Sequence, residues 1–330
     1  MTRTKSVELV VEVLLIMVSM VLVGVAPLFG QPSHFKVAIL TPGPTLGPVH
    51  EGLQEGLARL GYNEGKNITF VMDDTKGSTS DLDRRAAKLL ASKPDALFPV
   101  TVLHAVAAKE ATTTVPIVFA WIGDPVRAGL VASYASSKNN LTGVASSADH
   151  LSGKRLEVLT EVAPKVRRLL VIVAPRESIA LSAFRFLDET AKKVGVQLVR
   201  RDVTNREEIE NALKETPKGS FDAIFFIPST LVRANIDLLF KKAKTERVPL
   251  SVNEESLVDL GALVSYGPDP RLVGLQAAAL VERILHGARP GEIMVETPNK
   301  FFLTVNLTTA KEIGLKIPRP ILERADRLVE

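Results

Sequence analysis

The chain of 330 residues is long enough for one large domain or two of ordinary size, and its 46% hydrophobic and 24% charged residues can build a substantial core. Its formal net charge of +4 is spread thinly, with no block of Lys and Arg interleaved with aromatic residues, which disfavours nucleic-acid binding. Cysteine is absent, which excludes disulfides, thiol catalysis, thiolate metal sites and lipid attachment through a cysteine.

The N-terminus has the pattern of an export signal or a membrane anchor. Arg3 and Lys5 precede a run from Leu9 to Phe29 that carries a single charge, Glu12. We expect residues 1–31 to be a cleaved signal peptide, with an uncleaved N-terminal membrane helix as the alternative. Both alternatives predict a periplasmic or other extracytoplasmic location for the rest of the chain.

From residue 35 onward, short apolar strands alternate with helices. The first predicted strands are Phe35–Leu40, Asn67–Met72, Pro94–Val100, Pro116–Trp121 and Leu141–Ala145. A helix is predicted after each of the first three strands, because apolar residues such as Val49, Leu53 and Leu57 recur there at helical spacing. We also expect a helix after the fourth strand, with Asp124 as its N-cap and Pro125 as its first residue.

A second alternation follows the polar stretch Ser146–Ser152. Its predicted strands are Arg168–Val173, Val196–Arg200, Asp222–Ile227 and Val248–Val252. This rhythm is typical of parallel βαβ units, so the predicted fold class is α/β with two Rossmann-like lobes and a cleft between them. We expect residues 35–146 plus about 253–275 to form the first lobe, and residues 147–252 plus about 276–330 to form the second.

Candidate ligand contacts follow the ends of the predicted strands, because open parallel sheets bind ligands beyond the carboxyl ends of their strands. Their hydroxyl, amide, carboxylate, guanidinium and indole groups suit a small polar or zwitterionic molecule. Each could instead serve only to cap the next helix or, for Trp121, to pack in the core. The candidates are Thr41, Pro42, Thr101, Trp121, Gly123, Asp124, Ser147, Arg176, Ser178, Ser229, Thr230, Asn253 and Glu254.

Several kinds of chemistry lack their motifs. The loop after the first strand, TPGPTLGP, has three prolines where a phosphate site needs backbone N–H donors, and no Walker pattern, nucleophile elbow or HExxH occurs. We therefore expect no catalytic residues, no metal and no cofactor. His50 and His104 could face the cleft or be ordinary polar residues at helix starts, and the pairs Asp73-Asp74 and Glu254-Glu255 could be acid and base or lie in solvated loops.

Four segments in order carry a family resemblance: TTTVPIVFAWIGDPVRAGLV from Thr112, NLTGV from Asn140, GKRLEVLTEVAPKVRRLLVI from Gly153 and LVSYGPDPRLVGLQAA from Leu263. Together with the ending from Asn306, they resemble the substrate-binding proteins of ATP-binding-cassette (ABC) transporters, within them the tryptophan/tyrosine-type branch.

The resemblance implies a type I periplasmic-binding-protein fold, with three segments crossing a hinge and the ligand enclosed between the lobes. It further implies a non-enzymatic monomer that presents a small polar organic solute, amino acids and aromatic amino acids included, to a membrane permease. A ligand-sensing module of the same fold that acts on a membrane partner is the alternative. A Rossmann-type enzyme would need a cofactor site that the first loop does not offer. A DNA-binding repressor would need a helix-turn-helix where the export segment stands.

Overall fold

The computed structural model describes residues 34–43 and 46–330. The predicted signal or anchor segment, residues 1–31, lies outside the described residues. Within them, no helix has the length and apolar character needed to cross a membrane.

The first lobe is built on a sheet of five parallel strands. These are β1 (Phe35–Thr41), β2 (Ile68–Asp74), β3 (Ala96–Pro99), β4 (Ile117–Ile122) and β5 (Leu141–Ala145), in the order β2-β1-β3-β4-β5. Helices α1 (Gly47–Arg59), α2 (Leu82–Ala91) and α3 (Val102–Ala111) connect them. Alternate side chains of β1 enter two apolar clusters, Val37 and Ile39 on one face and Ala38 and Leu40 on the other, so the sheet is covered on both faces.

The second lobe has seven strands among the described residues. They are β6 (Arg168–Val173), β7 (Gln197–Asp202), β8 (Ala223–Phe225), β9 (Leu250–Val252), β10 (Val264–Gly267), β11 (Phe302–Asn306) and β12 (Arg327–Val329). Their order is β12-β11-β10-β9-β8-β6-β7, and only the β10–β11 pair is antiparallel. The stretch β7-β6-β8-β9-β10 repeats the order of the first sheet, which confirms the predicted pair of doubly wound lobes.

Among residues 46–330, eight α-helices pack around the second sheet. They are α4 (Leu151–Val162), α5 (Ser178–Val194), α6 (Arg206–Glu215), α7 (Thr230–Ala234), α8 (Ile236–Glu246), α9 (Ser256–Asp259), α11 (Leu307–Glu312) and α12 (Arg319–Arg324). The helical segment between β8 and β9 is broken at Asn235 into α7 and α8. The Asn235 side chain donates to the carbonyl of Leu231 at 2.9 Å at this break.

The last eighty residues are divided between the two lobes, but the boundaries differ from those expected from the sequence. Strand β10, expected in the first lobe, pairs with β9 and β11 in the second sheet. Helix α10 (Pro270–Leu285) instead packs against α1 of the first lobe, although residues beyond 275 were expected in the second. Glycine makes this packing close, because a Cβ atom at Gly274 would lie 1.8 Å from the carbonyl oxygen of Val49.

The chain therefore crosses between the lobes three times within the described residues. The first crossing, residues 146–150, joins β5 to α4, and the second joins β10 to α10. The third leaves the first sheet after Glu296, which bridges to Val144, and enters β11. The hinge of three crossing segments implied by the family resemblance is confirmed.

Candidate functional site

Strained backbone marks the carboxyl edge of the first sheet. Thr101, Trp121 and Ser147 follow or end β3, β4 and β5, and their φ angles are 78°, 61° and 53°. Non-glycine residues with positive φ cost on the order of 1–3 kcal/mol each and concentrate at ligand sites. The strain thus falls on three of the predicted contact residues, at the edge where a parallel sheet binds its ligand.

A buried histidine holds one of these strained residues. The ring of His104, which is 2% exposed, places Nδ1 2.8 Å from the Thr101 hydroxyl and Nε2 3.3 Å from the Thr75 hydroxyl. Burial, helped by the nearby Arg85 cation, lowers the pKa of His104 to about 4. The neutral ring therefore joins the loops after β2 and β3. His50 is half-buried, and burial also lowers its pKa, against the opposing effect of Glu51 and Asp74.

The stretch from Trp121 to Asp124 faces the second lobe. The indole of Trp121 packs in part on the apolar cluster beneath α1 and α10. A Cβ atom at Gly123 would lie 2.7 Å from Cδ1 of Ile179, the second residue of α5. Gly123 is therefore a close contact of the first lobe with the second, and the absence of a side chain is what permits it.

Asp124 holds a turn and does not start a regular helix. Its Oδ1 atom accepts hydrogen bonds from the backbone N–H groups of Val126 and Arg127, both at 3.0 Å. The expected helix is wrong: residues 125–129 form turns, in which the N–H of Leu130 reaches back to the carbonyl of Pro125. The capping role assigned to this carboxylate is nevertheless present.

The predicted residues of the second lobe differ in exposure and in partners. Arg176 and Ser178 are exposed. Ser229 Oγ accepts from the N–H of Val232 at 3.1 Å, and the N–H of Thr230 donates to Oε2 of Glu177 at 2.7 Å. Ser229 thus caps α7, and the sequence interpretation missed Glu177, which binds the same helix start.

The acidic pairs are engaged in ordinary contacts. Asp73 pairs with Arg85, and Asp74 accepts from the backbone N–H of Lys76 at 2.7 Å. Glu254 lies 3.0 Å from the guanidinium of Arg233, and Glu255 lies 2.8 Å from that of Arg327. Both pairs are thus held by structural contacts, but Asp73 and Asp74 end β2 and do not lie in a solvated loop as expected.

Arg155 is a buried cation that the sequence interpretation did not identify. Its side chain is 1% exposed and donates to the carbonyls of Phe226 at 2.6 Å and Val252 at 3.2 Å, at the ends of β8 and β9. Burial lowers its pKa to about 9, opposed by the Glu254 carboxylate. Position 155 is an ordinary arginine in a helical pattern, so only the fold reveals that it lies beneath the strand ends.

Asp149 is the second residue missed, in the first crossing segment. It is 0% exposed, and its Oδ2 atom accepts from the Ser182 hydroxyl at 2.7 Å. Asp124, Asp149 and His150 each place one possible ligand atom within 4.8 Å of the others. Burial raises the pKa of the Tyr134 phenol to about 12, and the carboxylates of Asp124 and Asp149 add to the effect, which indicates a negatively charged corner of the cleft.

Nine buried polar side-chain atoms have no hydrogen-bond partner among the described residues, and four of them are on strand-end residues, on the first crossing segment or on Arg155. These four are Thr41 Oγ1, Asp149 Oδ1, Arg155 Nη1 and Asn253 Oδ1. Buried polar groups are normally paired, since an unpaired one costs about 1–3 kcal/mol. Both lobes and a crossing segment contribute to this set, and Thr41 and Asn253 are among the predicted contacts.

Comparisons with known proteins agree with this architecture. A family model described as "ABC transporter substrate binding protein" matches residues 35–329. A tyrosine-binding protein of Clostridioides difficile is 27% identical over 287 residues, which cover 87% of this chain and 82% of that protein.

Solved structures show the same fold. A conserved domain protein of Vibrio cholerae superposes with a TM-score of 0.81 at 29% identity, covering 90% of this chain and all of that one. A domain from Streptococcus pneumoniae in complex with L-Trp gives a TM-score of 0.82 at 22% identity, with the same coverage. A ligand-free, open substrate-binding protein from Clostridium difficile gives 0.73 at 25% identity, covering 89% of this chain and 99% of that one. The predicted resemblance to the substrate-binding proteins of ABC transporters is confirmed, and these relatives are consistent with the predicted tryptophan/tyrosine-type branch.

Proposed function

The chain belongs to the family of ABC transporter substrate-binding proteins, and from that premise we propose that it captures a small polar organic solute between its two lobes and delivers it to an ABC permease. The observation that carries the proposal is the set of buried polar atoms without a hydrogen-bond partner among the described residues, on the strand-end residues Thr41 and Asn253, on Asp149 of the first crossing segment and on Arg155 of α4. A polar ligand held between the lobes would supply their missing hydrogen bonds.

The ligand we propose is an amino acid, with aromatic amino acids as the first candidates. The tyrosine-binding relative supports this class, as does the presence of a buried carboxylate, Asp149, and a buried guanidinium, Arg155, each with a polar atom that has no hydrogen-bond partner among the described residues. Trp121, partly buried and strained, is the aromatic side chain best placed among the predicted contacts to meet a ring. The thirteen predicted contacts remain the proposed binding set, with Asp149 and Arg155 added.

The mode of action follows from the hinge. We propose that residues 35–146 with 270–296, and residues 151–267 with 302–330, are the two bodies that close on the ligand. A ligand can drive closure only through contacts with both bodies. We further propose a monomer outside the cytoplasmic membrane, exported or anchored by residues 1–31, that performs no catalysis and leaves the energetic work to the transporter.

Thermal unfolding with a solute library tests this function. Binding to the native state alone raises stability by about 2.7 kcal/mol at a hundredfold excess over the dissociation constant. At a fixed concentration, the melting temperature should therefore rise with the logarithm of the ligand's affinity. The library should hold the twenty amino acids, pentoses, hexoses and aromatic acids. Stabilisation by L-tyrosine or L-tryptophan is the expected result, and no stabilisation by any solute would reject the proposal.

A further inference from the structure

Asp149 has one oxygen engaged and one free. The carboxylate is fully buried, Oδ2 accepts the hydrogen bond from Ser182, and Oδ1 has no hydrogen-bond partner among residues 34–43 and 46–330. No cationic side chain in that part of the chain is therefore hydrogen-bonded to Oδ1. A buried carboxylate in this state is unfavourable unless a positive group meets it.

The free oxygen lies at the contact between the lobes. A Cβ atom at Gly123 would stand 3.5 Å from Asp149 Oδ1 and 2.7 Å from Cδ1 of Ile179. The first lobe therefore approaches Oδ1 with the backbone of Gly123, and this oxygen is buried where the two lobes meet. The same carboxylate is held from the second lobe through Ser182, so Asp149 touches both bodies of the hinge.

The neighbouring carboxylate does not compete for the same role. Asp124 Oδ1 already accepts two backbone N–H groups, and its Oδ2 is 3.7 Å from the guanidinium of Arg127. The free acceptor of this corner is therefore Asp149 Oδ1, while Asp124 adds negative potential nearby.

We propose that Asp149 binds the protonated amino group of the ligand, which makes primary amines, and α-amino acids in particular, the substrate class. This inference rests on the proposed function and deepens it. An ammonium group brings a positive charge and three N–H donors, which match a buried carboxylate with a free oxygen. It accounts for a buried, unpaired charge placed where the two lobes meet.

A metal ion fits the same corner less well. Asp124, Asp149 and His150 offer three ligand atoms, but the guanidinium of Arg127 is beside Asp124. The His150 ring is exposed and packs on Phe186 with 4.4 Å between the ring centres. A divalent cation bound there would be repelled by the guanidinium of Arg127 or would have to displace it.

The test compares ligands with and without the amino group on the full-length chain. The probes are L-tyrosine and L-tryptophan with their des-amino partners, 3-(4-hydroxyphenyl)propanoate and indole-3-propanoate, measured by calorimetric titration. Wild type should prefer the amino acids by at least about a hundredfold, as expected for a buried charge-assisted contact. Asp149→Asn should lose most of that preference. The substitution weakens binding of the amino acid, and it removes the repulsion between Asp149 and the carboxylate of the des-amino analogue.

Asp188→Asn is the matched control, since Asp188 lies on α5 with Ser182 but pairs with Lys192 at the surface. The inference would be overturned if Asp149→Asn is folded by circular dichroism and still prefers the amino acids over their des-amino analogues as wild type does. The proposed function would then remain intact. If Asp149→Asn does not fold, the wild-type comparison decides, and equal affinity for both partners of each pair overturns it. Stabilisation by Mn²⁺ or Zn²⁺ alone, lost in Asp149→Asn, would also overturn it in favour of a metal site. Wild type that binds no amino acid would overturn this inference, while the proposed function would be rejected only if the other solutes of the library also failed to bind.

Discussion

Asp149 and Ser182 form a buried hydrogen bond of 2.7 Å between Oδ2 and Oγ, which ties the first crossing segment to helix α5. The bond fixes the carboxylate at the hinge, and the other oxygen has no hydrogen-bond partner within the described part of the chain. A hydrogen bond to a charged group contributes about 1.5–3 kcal/mol, so this contact is strong enough to set the position of the carboxylate.

Ser182→Ala should lower the free energy of unfolding by about 2 kcal/mol, because it leaves both oxygens of Asp149 unpartnered. Urea denaturation measures this loss. Ser220→Ala is the matched control, since the Ser220 hydroxyl is exposed and donates to the carbonyl of Pro217. A Ser182→Ala variant as stable as the control would show that the buried bond contributes little.

Gly123→Ala should weaken ligand binding by at least about tenfold, because the added methyl meets Ile179 Cδ1 and hinders closure. Each lobe keeps its own core, so the melting temperature without ligand should change little. The double variant Gly123→Ala with Ile179→Ala should recover part of the affinity in calorimetric titration. Failure of the second change to restore any binding would argue against a steric effect at this contact.

Asp124→Ala should lower stability by about 1 kcal/mol, because two N–H groups of the turn lose their acceptor. Asp124→Asn keeps an oxygen acceptor and should retain most of that stability in the same urea titration. We expect both variants to weaken amino-acid binding less than Asp149→Asn does. A larger effect of Asp124→Asn on binding would transfer the main electrostatic role to Asp124.

His104 should make the protein less stable in acid. Its pKa is about 4 in the folded chain and 6.5 in the reference state, so the unfolded chain binds the extra proton first. The stabilisation is fully present above pH 6.5 and is lost as the pH falls from 6.5 towards 4, by on the order of 3 kcal/mol. Unfolding free energies of wild type and His104→Gln between pH 7 and 4 measure it, and an equal decline in both would contradict this role.

Much of the fold could be predicted from the sequence because its signals are local. The apolar run Pro116–Trp121 corresponds to β4, and the regular alternation of strands and helices correctly predicted both lobes. The placement of β10 could not be predicted, because a strand pairs according to partners far along the chain, here β9 and β11. The prediction of a helix after Asp124 was wrong for a related reason. An N-cap followed by proline can start a turn, but a stable helix also needs an apolar face that packs against the rest of the protein.

The candidate site was predictable only in outline. Strand ends can be located from sequence, so Thr41 and Asn253 were found where buried polar atoms are free. Asp149 and Arg155 were missed because no local pattern distinguishes a buried charged residue from an exposed one. Asp149 stands in a polar stretch that resembles an ordinary linker, and only the crossing of the chain between the lobes gives it a position in the cleft.

The central claim is that the cleft binds an amino acid, and calorimetric titration of the full-length chain with L-tyrosine and L-tryptophan tests it most directly. We predict saturable one-to-one binding of at least one of them, with a dissociation constant of about 1 μM or tighter, corresponding to about 8 kcal/mol. The absence of binding heat for both, and for the remaining amino acids at millimolar concentration, would contradict the account.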